Sequence, residues 1–467
     1  MRDRLRTVVA ATAAVAVVAV SSPVAQAMTP PQVDPAVQPP SGAAGPVQPQ
    51  SQRGPCVSAG VLPGSEPGAP SPNQTLLNLE GAWEYSRGDG QLVAVIDTGV
   101  TPGPRLPNVE PGGDFVESTD GLSDCDGHGT LVAGLIAGQP GTDGFSGVAP
   151  GARVLAIRST SSRFSPREIG ENPATAKVAL DVATLARAVV RAADLGARVI
   201  NISAVTCLPA TENIDQNELG AALRYAAVDK DAVIVAAAGN NKMGLNPGSA
   251  CPSNPLSDPS RPEDPRNWAG VTSVSIPSSW QPYVLSVGSL DSAGRPSDFT
   301  MAGPWVGIAA PGQDIVSVGN GEGGALANGL PDERGRLYPL NGTSFAAAYV
   351  SGVAALVRSR FPELTAEQIR DRLTAGAQGA ARAPSNLTGV GLVDPVAALT
   401  WDVTAAVAGN GEPEPQPVAA PPRPAAPDGT PKVVAFVGTG VLALIAAVTA
   451  AVAVHRRRNL DNQAEAS

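Results

Sequence analysis

Histidine is nearly absent from this 467-residue chain, with two in all, and cysteine and methionine number four each. Aromatics supply only 4% of the residues, so any core must be built from Ala, Val, Leu and Ile. The cysteines stand 69, 82 and 44 residues apart with no C-x-x-C, which argues against a thiolate metal site. Charged residues reach just 16% while 43% are apolar, which excludes a wholly disordered polymer. The net charge is −10 and no basic block lies in the middle of the chain, so nucleic acid is not an expected partner.

Proline is plentiful but uneven. Of 46, 12 fall in residues 28–72 and 8 in residues 411–431. The pattern is one large folded unit, residues 76–402, between a Pro-rich extension (28–75) and a Pro-rich linker (403–431). Ahead of the extension, Arg2, Arg4 and Arg6 precede an apolar run from Val8 to Val20 and a small-x-small site at Ala25-Gln26-Ala27. This is the layout of a cleaved secretory signal over residues 1–27, and the run is too short for a span. Near the other end, Val433–Val454 contains no charge and would measure about 33 Å as a helix. His455-Arg456-Arg457-Arg458 follows at once. That is a transmembrane helix over residues 432–455 with a cytoplasmic tail, 456–467, and the bulk outside the cell membrane. In extended form residues 411–431 could hold the domain up to about 65 Å from the bilayer. An even cysteine count in an exported chain suggests two disulfides, for which three pairings are possible.

Short β-rich runs alternate with helical patterns. Leu92–Ile96, Val154–Ile157, Val199–Ile202 and Val233–Ala236 read as strands, and Ala176–Leu195 and Gln216–Asp229 as helices. In the first helix Val178, Val182, Leu185, Val189 and Ala193 share one side, opposite Asp181, Thr184, Arg187, Arg191 and Asp194. The expected fold is α/β, a mainly parallel sheet with helices on both faces. Sites in such folds lie beyond the carboxyl ends of the strands.

Four motifs fall at such ends. In V-A-V-I-D-T-G-V, Asp97 follows four apolar residues; capping a turn is its commonest role. In D-G-H-G-T-L-V-A-G, His128 is the sole candidate general base outside the C-terminal tail, and its flanking glycines imply a close backbone approach. In N-G-T-S-F-A-A-A, Ser344 heads an Ala-rich helix, as a plain N-cap or as a nucleophile whose N–H helps bind an oxyanion. In V-A-A-A-G-N-N, Asn240 could donate to the same oxyanion.

Taken together, in the order Asp, His, Asn, Ser, these motifs resemble the subtilisin-like serine proteases over about residues 85–400. Gly147–Val154 (G-V-A-P-G-A-R-V) and Gly389–Asp394 (G-V-G-L-V-D) are similar to further strings of that family. The resemblance implies a serine endopeptidase in which Ser344 attacks, His128 takes its proton, Asp97 orients the imidazole and Asn240 serves the oxyanion hole. It implies no cofactor and no metal in the mechanism. Two departures stand out. Ala348 replaces the proline usual four residues after the nucleophile, and I-N-I-S-A-V-T-C replaces S-L-G-G at the substrate strand. Ser203 and Ala204 can still pair with substrate backbone, while Val205 would narrow the pocket. A further departure is in residues 28–75, which are too short and too poor in apolar periodicity to form the usual folded pro-domain.

The whole plan, with its signal, extension, protease, linker, span and basic tail, resembles the mycosins, membrane-anchored proteases associated with type VII secretion. That resemblance implies exported protein substrates and a type VII secretion membrane complex as partners. Its alternatives are a general surface subtilase and a scaffold whose proteolysis is dispensable. The extension is expected to be stapled by Cys56–Cys125. Cys207 and Cys251, each trailing a neighbouring strand near the cleft, form the other expected bond.

Overall fold

A computed structural model describes residues 28–168, 172–241, 251–379, 384–402 and 430–464 of the chain. The expected signal sequence (1–27) and nearly all of the linker (403–429) lie outside the described residues, as do parts of the loops 159–173 and 242–270. The chain divides into two compact units, Met1–Ala408 and Gly409–Ser467.

The first unit is organised by a nine-stranded sheet. Its strands are β1 Leu92–Asp97, β2 Val109–Asp114, β3 Arg153–Arg158, β4 Val199–Ile202, β5 Val233–Ala237, β6 Val284–Leu290, β7 Val306–Pro311, β8 Gln378–Gly379 and β9 Gly391–Leu392. Their spatial order is β8-β9-β7-β6-β5-β4-β1-β3-β2. Every pairing is parallel except that of β8 with β9. From β1 the chain crosses to the edge strand β2 and returns through β3 on one side, then runs from β4 outward to β7 on the other. The reversal therefore lies between β1 and β4, where a doubly wound sheet opens a crevice at its carboxyl edge.

Residues in β1 and β5 are buried throughout, which explains their unbroken apolar runs: both faces of the sheet are covered. On one face Val93 and Val95 join a core with Leu131, Leu135, Val350 and Val353. These come from the small-residue helices α1 (His128–Ala137) and α4 (Thr343–Arg360). On the other face Leu92, Ala94 and Ile96 meet Val182, Leu185 and Val189 of α2 (Pro173–Asp194). Alternate residues of one strand thus feed two separate cores.

The helices depart from expectation in detail. α2 starts at Pro173, earlier than Ala176, because Asn172 caps it by accepting the Thr175 N–H. Thr184, expected on its polar side, is buried, and Arg187 and Arg191 of that side donate to Ala43 O and Gly112 O; α3 (Asn217–Arg224) also packs on α2. The stretch expected as one helix to Asp229 is α-helical only to Arg224, and Tyr225–Asp229 forms a π-helical turn.

The extension lies along the domain surface. Gln50–Gln52 pairs antiparallel with Phe164–Pro166. Gly45 donates its N–H to Asp114 O (2.9 Å) and Val57 donates to Cys125 O (2.9 Å). Cys56–Cys125 and Cys207–Cys251 are the two disulfides. The second fastens the strand Thr206–Pro209, itself paired with Ser273–Ile276, to the segment that follows Asn240.

Among the described residues the second unit contains one helix, Thr430–Ala464. Within it Gly438–Arg458 is long and apolar enough to cross a membrane, overlapping the expected Val433–Val454.

Because the Cys56–Cys125 bond closes a loop with a separation of 69 residues, the chain-entropy model assigns it about 4 kcal/mol. Urea unfolding of the detergent-solubilised chain carrying Cys56→Ser and Cys125→Ser should show a loss of about that size. Non-reducing peptide mapping should recover the Cys56–Cys125 pair, and a Cys56–Cys207 peptide would overturn it.

Candidate active site

Three chain segments converge at the sheet reversal. Asp97 ends β1, His128 opens α1 and Ser344 is the second residue of α4. His128 Nδ1–H donates to Asp97 Oδ1 at 2.7 Å, and the Ser344 hydroxyl faces Nε2 at 3.1 Å. The carboxylate on one nitrogen requires the proton there, which leaves the Nε2 lone pair for the hydroxyl. All three side chains are at most 2% exposed. Phe345 packs beside the imidazole, with ring centroids 5.4 Å apart.

The sequence builds this approach with glycine. A Cβ on Gly129 would sit 2.1 Å from Gly99 O, so no larger residue lets the start of α1 lie against the turn after β1. Gly127, at φ 78°, turns the chain into the helix from a conformation that L side chains disfavour. Ser344 is not the N-cap of α4; Gly342 is, without a side-chain bond. In the first turn Thr343 N–H goes to Asn240 Oδ1 and Phe345 N–H to Gly342 O (3.2 Å), while the Ser344 N–H makes no hydrogen bond among the described residues, as an oxyanion donor requires.

Asp124 is a residue that motif reasoning missed. Its Oδ1 accepts from Thr98 Oγ1 (2.8 Å), Gly127 N–H (2.8 Å) and Asp126 N–H (3.2 Å). Its Oδ2 accepts from Thr130 N–H (2.8 Å) and Thr130 Oγ1 (2.7 Å). Thr98 in turn gives its N–H to Asp97 Oδ1 (2.7 Å), and its Oγ1 accepts from Gly129 N–H (2.9 Å). One buried carboxylate thereby registers both Asp97 and His128. The available signal was an Asp just ahead of a helix start, a common capping position. Burial pushes the Asp124 carboxyl up to about 6, against the Thr130 and Thr98 hydrogen bonds that lower it.

Asn240 Oδ1 accepts both the N–H (3.0 Å) and the hydroxyl (3.1 Å) of Thr343. Those bonds consume the oxygen and reserve Nδ2 as a donor beside Ser344. Ser203 follows β4 directly, but its side chain is engaged: Oγ donates to Ser344 O (3.0 Å) and accepts from Asn201 Nδ2 (2.8 Å). Asn201 Oδ1 accepts from Ser351 Oγ (2.9 Å), which ties the β4 end to α4. Ser203 therefore fixes the start of α4, and its side chain is not free for substrate. Ala204 and Val205 line a small cavity of about 50 Å³ with Lys177, Asp181, Leu185 and Ile276. Cys56 and Cys125 join the extension three residues from His128, and Cys207 and Cys251 brace the far side.

Fold and site together are those of a subtilisin-like serine protease. The model of the Subtilase family matches residues 88–391. The chain is 64% identical over 438 residues to Mycosin-3 of Mycobacterium tuberculosis (strain ATCC 25618 / H37Rv), covering 94% of this chain and 95% of that one. It is 48% identical to Mycosin-1 of Mycolicibacterium smegmatis over 388 residues, 82% of this chain and 84% of the relative. The solved MycP3 protease from the type VII (ESX-3) secretion system matches with a TM-score of 0.77 and 70% identity, covering 80% of this chain and all of that one. A chain in an intact ESX-5 inner membrane complex matches with a TM-score of 0.78 and 46% identity, covering 91% of this chain and all of that one. The chain belongs to the subtilase family and, within it, to the mycosins.

His128 is subject to opposed effects. Burial pushes its pKa down, but the Asp97 charge and hydrogen bond, with the charges of Asp124 and Asp126, more than reverse this and hold it above the usual 6.5. A general base acts when neutral, so hydrolysis should rise with pH through a midpoint above 6.5 and be lost below it. Asp97→Asn removes the charge and the tautomer control, so kcat should fall by about 10⁴. A pH profile of kcat/KM checks this, and a flat profile from pH 5 to 8 would remove His128 from the base role.

Proposed function

We propose that Ser344 is the nucleophile, His128 the general base and then acid, Asp97 the orienting carboxylate, and Asn240 with the Ser344 N–H the oxyanion site. The Asp97–His128–Ser344 line, with its 2.7 and 3.1 Å spacings, carries this reading. Ser344 Oγ attacks the scissile carbonyl carbon as its proton passes to His128 Nε2. The imidazolium so formed faces Asp97 in a site shut from water, where an ion pair is stronger than in bulk. Charge on the carbonyl oxygen is met by Asn240 Nδ2 and the Ser344 N–H. His128 then protonates the leaving amine, the acyl-enzyme remains, and a water activated by the same imidazole releases it.

A second role follows from the relatives. Mycosin chains stand within ESX-5 inner membrane and periplasmic assemblies. We propose that this chain likewise belongs to a type VII secretion membrane complex, held by the Gly438–Arg458 span with the protease on the extracytoplasmic side. Identities of 64% and 70% to Mycosin-3 and MycP3, against 46–49% for the Mycosin-1 and ESX-5 matches, favour a system of the ESX-3 kind. Its substrates are exported polypeptides.

A fluorophosphonate probe should label Ser344, and Ser344→Ala should abolish both labelling and hydrolysis. Asn240→Ala should lower kcat by about 10²–10³. In a deletion strain, Ser344→Ala should restore secretion and a chain ended before Lys432 should not. The reverse outcome, normal secretion by the truncated chain only, would make the protein a processing protease alone.

A further inference from the structure

The extension does more than wrap the domain. With two loops of the protease it encloses a groove of about 560 Å³. One wall is Arg53–Ser58, a second is Ser162 and Arg163, and the third is the hairpin tip around Asp332 and Glu333. All three walls rest on the residues just before His128. Val57 donates its N–H to Cys125 O (2.9 Å), Ser162 donates to Asp126 Oδ1 (2.8 Å), and a Cβ on Gly127 would meet Leu330 at 3.1 Å. The groove is therefore anchored on the loop that presents His128, on the histidine side of the catalytic cleft.

Its charges are unbalanced. The short antiparallel ladder ends at Gln52 and Phe164, and just beyond it Arg53 donates its N–H to Arg163 O at 2.7 Å while Arg163 N–H turns to Ser161 Oγ, which sets the two arginines across from each other at the end of the ladder. Like charges directly opposite on antiparallel strands repel. Neither guanidinium has a carboxylate partner among the described residues, and Arg163 Nε is shut from solvent with no hydrogen bond. Asp332, across the groove, is engaged by Arg336 (3.0 Å) and by the N–H groups of Arg334 and Arg336. Glu333 is exposed and makes no ion pair with either arginine. In a chain of net charge −10, two arginines set face to face without a counterion are out of keeping with the rest of the surface.

We infer that the Arg53–Arg163 pair is a subsite that takes an aspartate or glutamate side chain of the polypeptide substrate, seated beyond His128. The inference rests on the proteolytic reading of the site. A carboxylate accepts two N–H bonds from a guanidinium fork and neutralises the opposed pair. The occupant is a substrate segment because the groove is built on the loop that carries His128. Specificity is then shared between the family's cleft and an extension that precedes the matched residues 88–391.

The test uses the full-length chain in detergent. A peptide library scanned position by position should reveal a preference for Asp or Glu at one position flanking the cleaved bond. Arg53→Gln with Arg163→Gln should lower kcat/KM for the acidic peptide by about tenfold, through KM, and leave its neutral counterpart unchanged. Replacing both with Glu should move the preference to Lys or Arg at that position. The absence of any acidic preference, or an equal loss for acidic and neutral peptides, would overturn the subsite. If the wild-type chain cleaves nothing, the proteolytic reading fails on its own. Binding of the fluorescent acidic and neutral peptides to the Ser344→Ala chain then decides the groove, and equal affinities would overturn it.

Discussion

The site depends on two backbones lying closer than side chains would permit. The turn after β1 and the first turn of α1 touch through Gly99 and Gly129, with space for a hydrogen but not a methyl group. Everything that places His128 on Asp97 follows from that contact. Three consecutive residues then fasten the loop. Asp124 ties it to Thr98 and Thr130, Cys125 to the extension through Cys56, and Asp126 to Ser161 and Ser162. The histidine is therefore held from three directions before substrate arrives, and little reorganisation remains for the reaction itself.

Ser344 is positioned from the opposite side of the crevice by a separate network. Ser203, Asn201 and Ser351 link the end of β4 to α4, and Thr343 links Asn240 to the same helix. These bonds are buried, and a buried polar group left without a partner is costly, so the network specifies one arrangement. The sheet reversal between β1 and β4 is what brings the two halves face to face. At the triad, Asp97 Oδ1 accepts from His128 and Thr98, but Oδ2 is buried without a hydrogen bond among the described residues. Such a carboxylate interacts strongly with an imidazolium beside it, consistent with the upward shift of His128.

Much of this was legible before any coordinates. The apolar runs Leu92–Ile96, Val199–Ile202 and Val233–Ala236 read as strands of a sheet with helices on both faces, and the motifs around Asp97, His128, Asn240 and Ser344 taken together pointed to one chemistry. Less legible were features that depend on tertiary neighbours. Thr184 looks polar on a helical wheel, yet it is buried. Ser203 looks like a substrate contact, yet its hydroxyl is spent on Ser344 O. The path of residues 28–71 had no periodicity to follow, since its hydrogen bonds go to scattered partners such as Asp114, Cys125 and Gly329. Asp124 was hidden because four of its five donors come from its own loop and helix start, and only Thr98 comes from another segment.

The close approach at Gly129 is the most direct point of test. Gly129→Ala asks the structure to admit a methyl group where Gly99 O already stands. The measurement is the second-order rate of inactivation by a fluorophosphonate at pH 8, taken beside circular dichroism to establish that the chain is folded. The account predicts a folded protein that reacts at least about 100-fold more slowly, because displacing a catalytic group by about 1 Å costs that much. A folded Gly129→Ala chain that reacts at the wild-type rate would contradict it.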